Sequence, residues 1–148
     1  SRAMPADLPP IFDPIAFFDG RTRGDATLKI VMRSACPVTV EGSGERRGGD
    51  LVLTQRIREC DKPERTRSWT MRATGDGRYE ATSSDAVGAV DVRVDGPLLS
   101  IGYRTKGDIR ITQSLRLARD GRSAQNTLTA RKFGMIVARL DETIRRVD

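Results

Sequence analysis

Histidine does not occur in this 148-residue chain. Its absence removes Ser-His-Asp and Cys-His nucleophile systems, histidine-ligated zinc and the usual proton shuttle. Any chemistry must run on carboxylates, tyrosine, lysine or cysteine. Glu59, Glu80, Asp85 and Asp91 are the carboxylates from which a two-carboxylate acid/base pair would have to come. Spacing gives no support, because Glu80 and Asp91 alternate to the face opposite the apolar residues. The stretch from Gly42 to Gly49 is rich in glycine, but no Gly-Lys-Ser/Thr follows and no helix starts there, so it reads as a hairpin end and not as a phosphate loop. Gly-x-Ser-x-Gly, Cys-x-x-Cys and calcium-loop patterns are absent. No catalytic residue, metal site or cofactor is predicted, and a binding role is favoured over an enzymatic one.

A more informative set consists of polar residues whose spacing puts them among apolar ones. Gln55 and Glu59 share a face with Leu53 and Ile57, and Trp69, Tyr79, Tyr103, Gln113 and Asn126 point the same way by alternation. An apolar interior with a few convergent polar groups is the usual build of a small-molecule site. The plainer reading is that these groups fill a core and satisfy one another. Cys36 and Cys60 lie equidistant from a turn near Gly48. Pairing Val38 and Val40 with Glu59 and Ile57 sets Cys36 opposite Asp61, so a disulfide requires a slip or bulge of one residue. Two separate thiols remain the alternative.

The elements that must position these side chains follow from hydrophobic period. Asp13 can cap a short helix, Pro14 suits its first position, and Gly20 stops it after Phe17-Phe18, so Ile15, Phe17 and Phe18 can plug an apolar opening. From Ala26 the period becomes two, through Leu28, Ile30 and Met32, Val38 and Val40, Leu51, Leu53 and Ile57, then Trp69, Met71 and Ala73. It continues through Tyr79 and Ala81, Val90, Val92 and Val94, Leu99, Ile101 and Tyr103, and Ile109, Ile111, Leu115 and Leu117. With a last pair near 123–132 and 135–146, about ten strands are predicted. Ile136, Leu140, Ile144 and Val147 also fit a helical stripe, but strand alternation through Ile136, Ala138, Leu140 and Ile144 is preferred. Gly48-Gly49, Asp76-Gly77, Asp95-Gly96, Lys106-Gly107 and Asp120-Gly121 supply tight turns. Such short connections dictate an up-and-down antiparallel meander, and closure into a barrel removes its edges. The predicted fold is all-β, with residues 11–148 forming one barrel domain and residues 1–10, which hold three prolines, serving as a tether or being a remnant of cloning.

Charge suggests partners without naming one. The net charge is +6, and arginine outnumbers lysine 22 to 4. Nucleic acid is disfavoured, since only seven aromatics accompany the charge and no stacking motif is present. Arginines 56, 58, 93, 104, 110, 116 and 139 fall opposite the apolar face, where cross-strand pairing with Thr and Asp or contact with anionic lipid headgroups would use them.

Phe12-Asp13-Pro14 and Phe17-Phe18-Asp19-Gly20 stand at the start, Gly75-Asp76-Gly77-Arg78-Tyr79 and Asp85-Ala86-Val87-Gly88 in the middle, and Asn126 with Lys132-Phe133-Gly134 near the end. On these pieces, which run in order from Phe12 to Val147, the chain resembles a proteobacterial family known as a domain of unknown function, many of whose members are lipoproteins. The resemblance implies a lipocalin-like barrel in the cell envelope, periplasmic or associated with the outer membrane, often tethered by lipid through an N-terminal cysteine. Cys36 and Cys60 are not N-terminal, so an anchor would have preceded Ser1. Relatives tend to carry an acid near the position of Gln113 and aromatics where this chain has Arg21-Thr22-Arg23. No catalytic residues carry over. The expected function is binding of a small apolar or amphipathic ligand inside the barrel by Gln55, Trp69, Tyr79, Tyr103, Gln113 and Asn126. The alternative is a structural or interaction module that meets a protein partner or an anionic lipid surface through its arginine-rich exterior.

Overall fold

The structure, a computed structural model, describes residues 8–147. Most of the predicted tether, residues 1–7, lies outside the described residues. Ten antiparallel strands close into a barrel in simple sequence order, with β1 hydrogen-bonded to β10. The strands are β1 (Gly20–Ile30), β2 (Cys36–Arg47), β3 (Asp50–Glu59), β4 (Arg65–Gly75), β5 (Arg78–Ser83), β6 (Val90–Asp95), β7 (Leu98–Thr105), β8 (Ile109–Leu117), β9 (Ser123–Lys132) and β10 (Met135–Arg146). The all-β meander and its closure are as the alternation requires.

One end is sealed by α1 (Pro14–Phe18). The Asp13 carboxylate accepts from the amides of Ile15 and Ala16, Pro14 occupies the first turn, and the Arg146 guanidinium donates to the carbonyls of Ala16 and Phe17 at the other end. Inside the barrel end Phe17 packs edge to face with Phe18 and tilted against Phe12, and the Phe12 amide donates to the Gly96 carbonyl at 2.8 Å. Gly44 lets this plug sit down, because a Cβ there would lie 1.8 Å from the Phe18 carbonyl oxygen.

The interior has two apolar clusters. The larger one, with Leu51, Leu99, Met71 and Leu115, packs beneath α1; the smaller one, Leu28, Val38, Val40 and Ile57, lies toward the opposite end. At that opposite end, the mouth, the chain turns between β1 and β2, β3 and β4, β5 and β6, β7 and β8, and β9 and β10.

Three apolar positions assigned to the inner face are exposed instead. Met32 has left the strand and takes φ 64°, Ala73 lies beside the register shift of β4, and Ile136 is turned outward by a bulge between Ile136 and Ala138. The β2–β3 register is the expected one, Val38 opposite Glu59 and Val40 opposite Ile57. Cys36 and Cys60 nonetheless form a disulfide with Cα atoms 5.3 Å apart. Cys60 supplies the one-residue adjustment by taking φ 57° just past the strand, while its amide donates to the Pro37 carbonyl.

Candidate functional site

Between the two apolar clusters runs a polar layer contributed by six strands. Gln55 on β3 faces Arg67 on β4, and Asn126 on β9 faces Glu142 on β10, each pair directly opposite in register. Trp69 on β4, Tyr103 on β7 and Gln113 on β8 complete it. Nε1 of Trp69 and Nε of Arg67 both donate to Oε1 of Gln55, at 3.1 and 2.7 Å. Across the barrel Nε2 of Gln113 donates to the Tyr103 hydroxyl at 3.4 Å, and Nδ2 of Asn126 donates to Oε1 of Gln113 at 2.9 Å and to Oε1 of Glu142 at 3.0 Å. Those two acceptors fix which way the Asn126 amide faces. Its Oδ1 is buried and has no hydrogen-bond partner among the described residues. A buried orphan acceptor costs about 1–3 kcal/mol unless something fills it.

The layer divides the interior into unequal chambers. Below it, toward α1, a chamber of about 50 Å³ among Phe18, Leu53, Trp69 and Ile101 has room for a water or two. Above it a cup of about 220 Å³ extends toward the mouth, with Val38, Val40, Ile57, Leu128 and Leu140 among its apolar walls. Arg67, Gln113, Asn126 and Glu142 border both spaces. The cup rim is charged: Arg65 makes a two-point contact with Asp85 at 3.0 and 3.2 Å, Arg67 reaches the same carboxylate at 3.6 Å, and Glu59 pairs with Lys62 at 3.1 Å.

Five of the six residues predicted from alternation therefore meet in one layer. Tyr79 does not: it is half-buried, packs against the larger cluster near the α1 end and borders neither chamber. Glu59 and Asp85 reach the cup rim but are already held by cations, and Glu80 and Asp91 are on the outer face, so no acid/base pair is assembled. Two members of the layer went unnamed at the level of sequence. Arg67 shares parity with Trp69 and Met71, and Glu142 with Leu140 and Ile144, so alternation alone could have found both. Gly24 makes the place for Glu142, since a Cβ there would lie 2.1 Å from Oε2.

Burial pushes the Glu142 carboxyl above its ordinary value of 4.5, with the Asn126 hydrogen bond and the Arg67 charge pulling the other way. Burial likewise raises Tyr103, opposed chiefly by Arg67. Because the folded chain holds the Glu142 proton more tightly than the unfolded one, this group's contribution to stability is complete below 4.5 and is lost as pH rises through the folded value. Glu142→Gln should therefore raise Tm at pH 7 by a few degrees, about 1 kcal/mol, and the gain should shrink toward zero at pH 4. Thermal melts of both proteins across that range check it.

The arrangement presents groups suited to holding a polar head beside an apolar body. Arg67 offers N–H donors, Asn126 an open acceptor, and the walls an apolar sleeve. No curated protein matches the sequence. Among solved structures, the S-type phycobiliprotein lyase CPES from Guillardia theta superposes with a TM-score of 0.72 at 4% identity, covering 90% of each chain. Rv2717c from M. tuberculosis superposes with a TM-score of 0.64 at 15% identity, covering 93% of this chain and 99% of that one. Both likenesses concern the fold, a lipocalin-like closed barrel. The model of the family described as "Protein of unknown function (DUF3833)" matches residues 4–146, and the chain belongs to that family.

Proposed function

We propose that the protein binds a small amphipathic molecule in the cup, with an oxygen-bearing head against the polar layer and an apolar body along Val38, Val40, Ile57, Leu128 and Leu140. The observation that carries this reading is the unpartnered Oδ1 of Asn126 in the layer that floors an apolar cup. A hydroxyl head, or a carboxylic acid head in its protonated form, would donate to Asn126 and accept from Arg67 at once. The volume, about 220 Å³, is below the ~300–1,000 Å³ of sites for drug-sized molecules. The occupant is accordingly a short amphiphile, or the head end of a longer one whose tail leaves through the mouth. The fold likeness supports an interior site but says nothing of the ligand. The cell envelope is the compartment proposed, supported by the Cys36–Cys60 disulfide, which persists in oxidising surroundings.

Calorimetric titration at about pH 4, where a fatty acid is largely protonated, with decanoic acid, decanol and decyltrimethylammonium tests the reading. The first two should bind with Kd of tens to hundreds of micromolar, and the quaternary ammonium, which can neither donate to Asn126 nor accept from Arg67, should not. Arg67→Leu should weaken the acid by about tenfold. Equal binding of all three heads, or no binding of any, would remove the polar layer from the function.

A further inference from the structure

The mouth is apolar at its tips and cationic just below them. Of the nine large apolar side chains exposed among the described residues, five lie in two adjacent connections: Val31 and Met32 between β1 and β2, and Phe133, Met135 and Ile136 around the β9–β10 turn. These connections are neighbours because β1 pairs with β10, and the Val31 amide donates to the Val137 carbonyl. Met32 is 99% exposed and Phe133 82%, and both take positive φ, 64° and 51°. Backbone in that region favours glycine or asparagine, so folding does not account for a methionine and a phenylalanine there.

Below the tips, the outer face carries Lys29, Arg139, Arg131, Arg110 and Arg104 on β1, β10, β9, β8 and β7, which are consecutive around the barrel. They oppose one another in register: Lys29 faces Arg139, Arg131 faces Arg110, and Arg110 faces Arg104. Like charges directly opposite are destabilising. Several outer arginines elsewhere on the barrel hold carboxylates, as in Arg23 with Asp25, Arg56 with Glu41 and Arg72 with Glu80, whereas Arg78 and Arg93 on β5 and β6 form one further like-charged pair opposite in register. None of the five belt cations makes an ion pair among the described residues. For Lys29, Arg131 and Arg139 the sequence explains why, since no Asp or Glu occurs from 26 to 40 or from 121 to 140; Asp108, in the turn between Arg104 and Arg110, makes no ion pair with either among the described residues. This part of the wall is a belt of five cations that hold no carboxylate among the described residues.

We infer that this side of the mouth docks on an anionic lipid bilayer, with Met32, Phe133, Met135 and their neighbours entering the interface and the belt lying among the headgroups. Apolar tips backed by cations complement such a surface. Nucleic acid would call for stacking groups, and Phe133 is the one aromatic at these tips. The acidic β3–β4 connection, with Asp61 and Glu64, sits on the other side of the mouth, so the barrel would dock tilted, its cup opening toward the lipid. The inference rests on the outer surface and does not depend on what the cup binds.

Sedimentation with vesicles of phosphatidylcholine alone, or containing one-third phosphatidylglycerol, tests it on the whole chain. Binding should occur with the anionic vesicles only and weaken as salt rises. Arg110→Gln with Arg131→Gln should weaken it about 25-fold, at about fivefold per cation. The same double variant should keep or raise Tm, because it relieves like-charge contact, so its loss of binding cannot be misfolding. Met32→Ser with Phe133→Ser should lose at least tenfold. Equal binding to both vesicle types, no binding to the anionic ones, or unaltered binding by the arginine variant would overturn the inference. So would a dimer in solution that Phe133→Ser dissolves, which would assign the tips to a second copy of the chain.

Discussion

Asn126→Asp is expected to destabilise the barrel by about 3–5 kcal/mol at pH 7, the largest effect of any single conservative change in the interior. The wild-type amide donates to both Gln113 and Glu142. An aspartate of the same shape removes both donated bonds, leaves two buried acceptors facing a third, and places a second carboxylate opposite Glu142 in register. At least one of the two carboxyls must then be protonated for the fold to persist, so the loss should be smaller at pH 4 than at pH 7. Denaturant titrations at the two pH values read the difference directly. A variant within 1 kcal/mol of wild type at pH 7 would mean that water, not Asn126, satisfies Glu142 and Gln113.

Opening the Cys36–Cys60 disulfide should cost about 3 kcal/mol, the chain-entropy value for residues separated by 24 positions. For a domain of this size the corresponding fall in Tm is about 10 °C. Melts of the reduced wild type and of the Cys36→Ser, Cys60→Ser double variant should show the same fall from the oxidised wild type. The bond also lies beside Ile57 and Val38 at the cup wall, so reduction should loosen the cup before it loosens the α1 end. A fall of less than 2 °C would show that the β2–β3 ladder already supplies the constraint.

The barrel was legible because nothing competes with period two over most of the chain. Polar and apolar residues alternate cleanly from Val90 to Val94 and from Leu99 to Tyr103, and the Asp-Gly turns fix the connections. Where the reading failed, a local backbone event had intervened. Ile136 obeys the alternation on paper, yet the bulge after it reverses its face. Cys60 was placed off-register because a positive φ at a cysteine is not visible in sequence. The polar layer was half legible. Gln55, Trp69, Tyr103, Gln113 and Asn126 attract notice as polar or aromatic residues among aliphatic ones. Arg67 and Glu142 disappear among many charged residues that really do face water, although their parity is the same as that of their buried neighbours. The cation belt needed the structure, because opposition between Arg110 and Arg131 exists only once β8 and β9 are in register.

Trp69 is the one tryptophan in the chain, and it stands in the polar layer, bonded to Gln55 and edge-on to Tyr103 at 5.7 Å. It borders the lower chamber and meets the cup through Tyr103, so its emission should respond to a head group seated at the layer. The most direct measurement is quenching of Trp69 fluorescence by decanoic acid brominated at carbon 2 or at carbon 10, since bromine quenches only nearby. Strong saturable quenching by the 2-bromo acid and weak quenching by the 10-bromo acid is the expected result. Quenching by neither, or stronger quenching by the tail-labelled acid, would contradict an amphiphile held by its head at this layer.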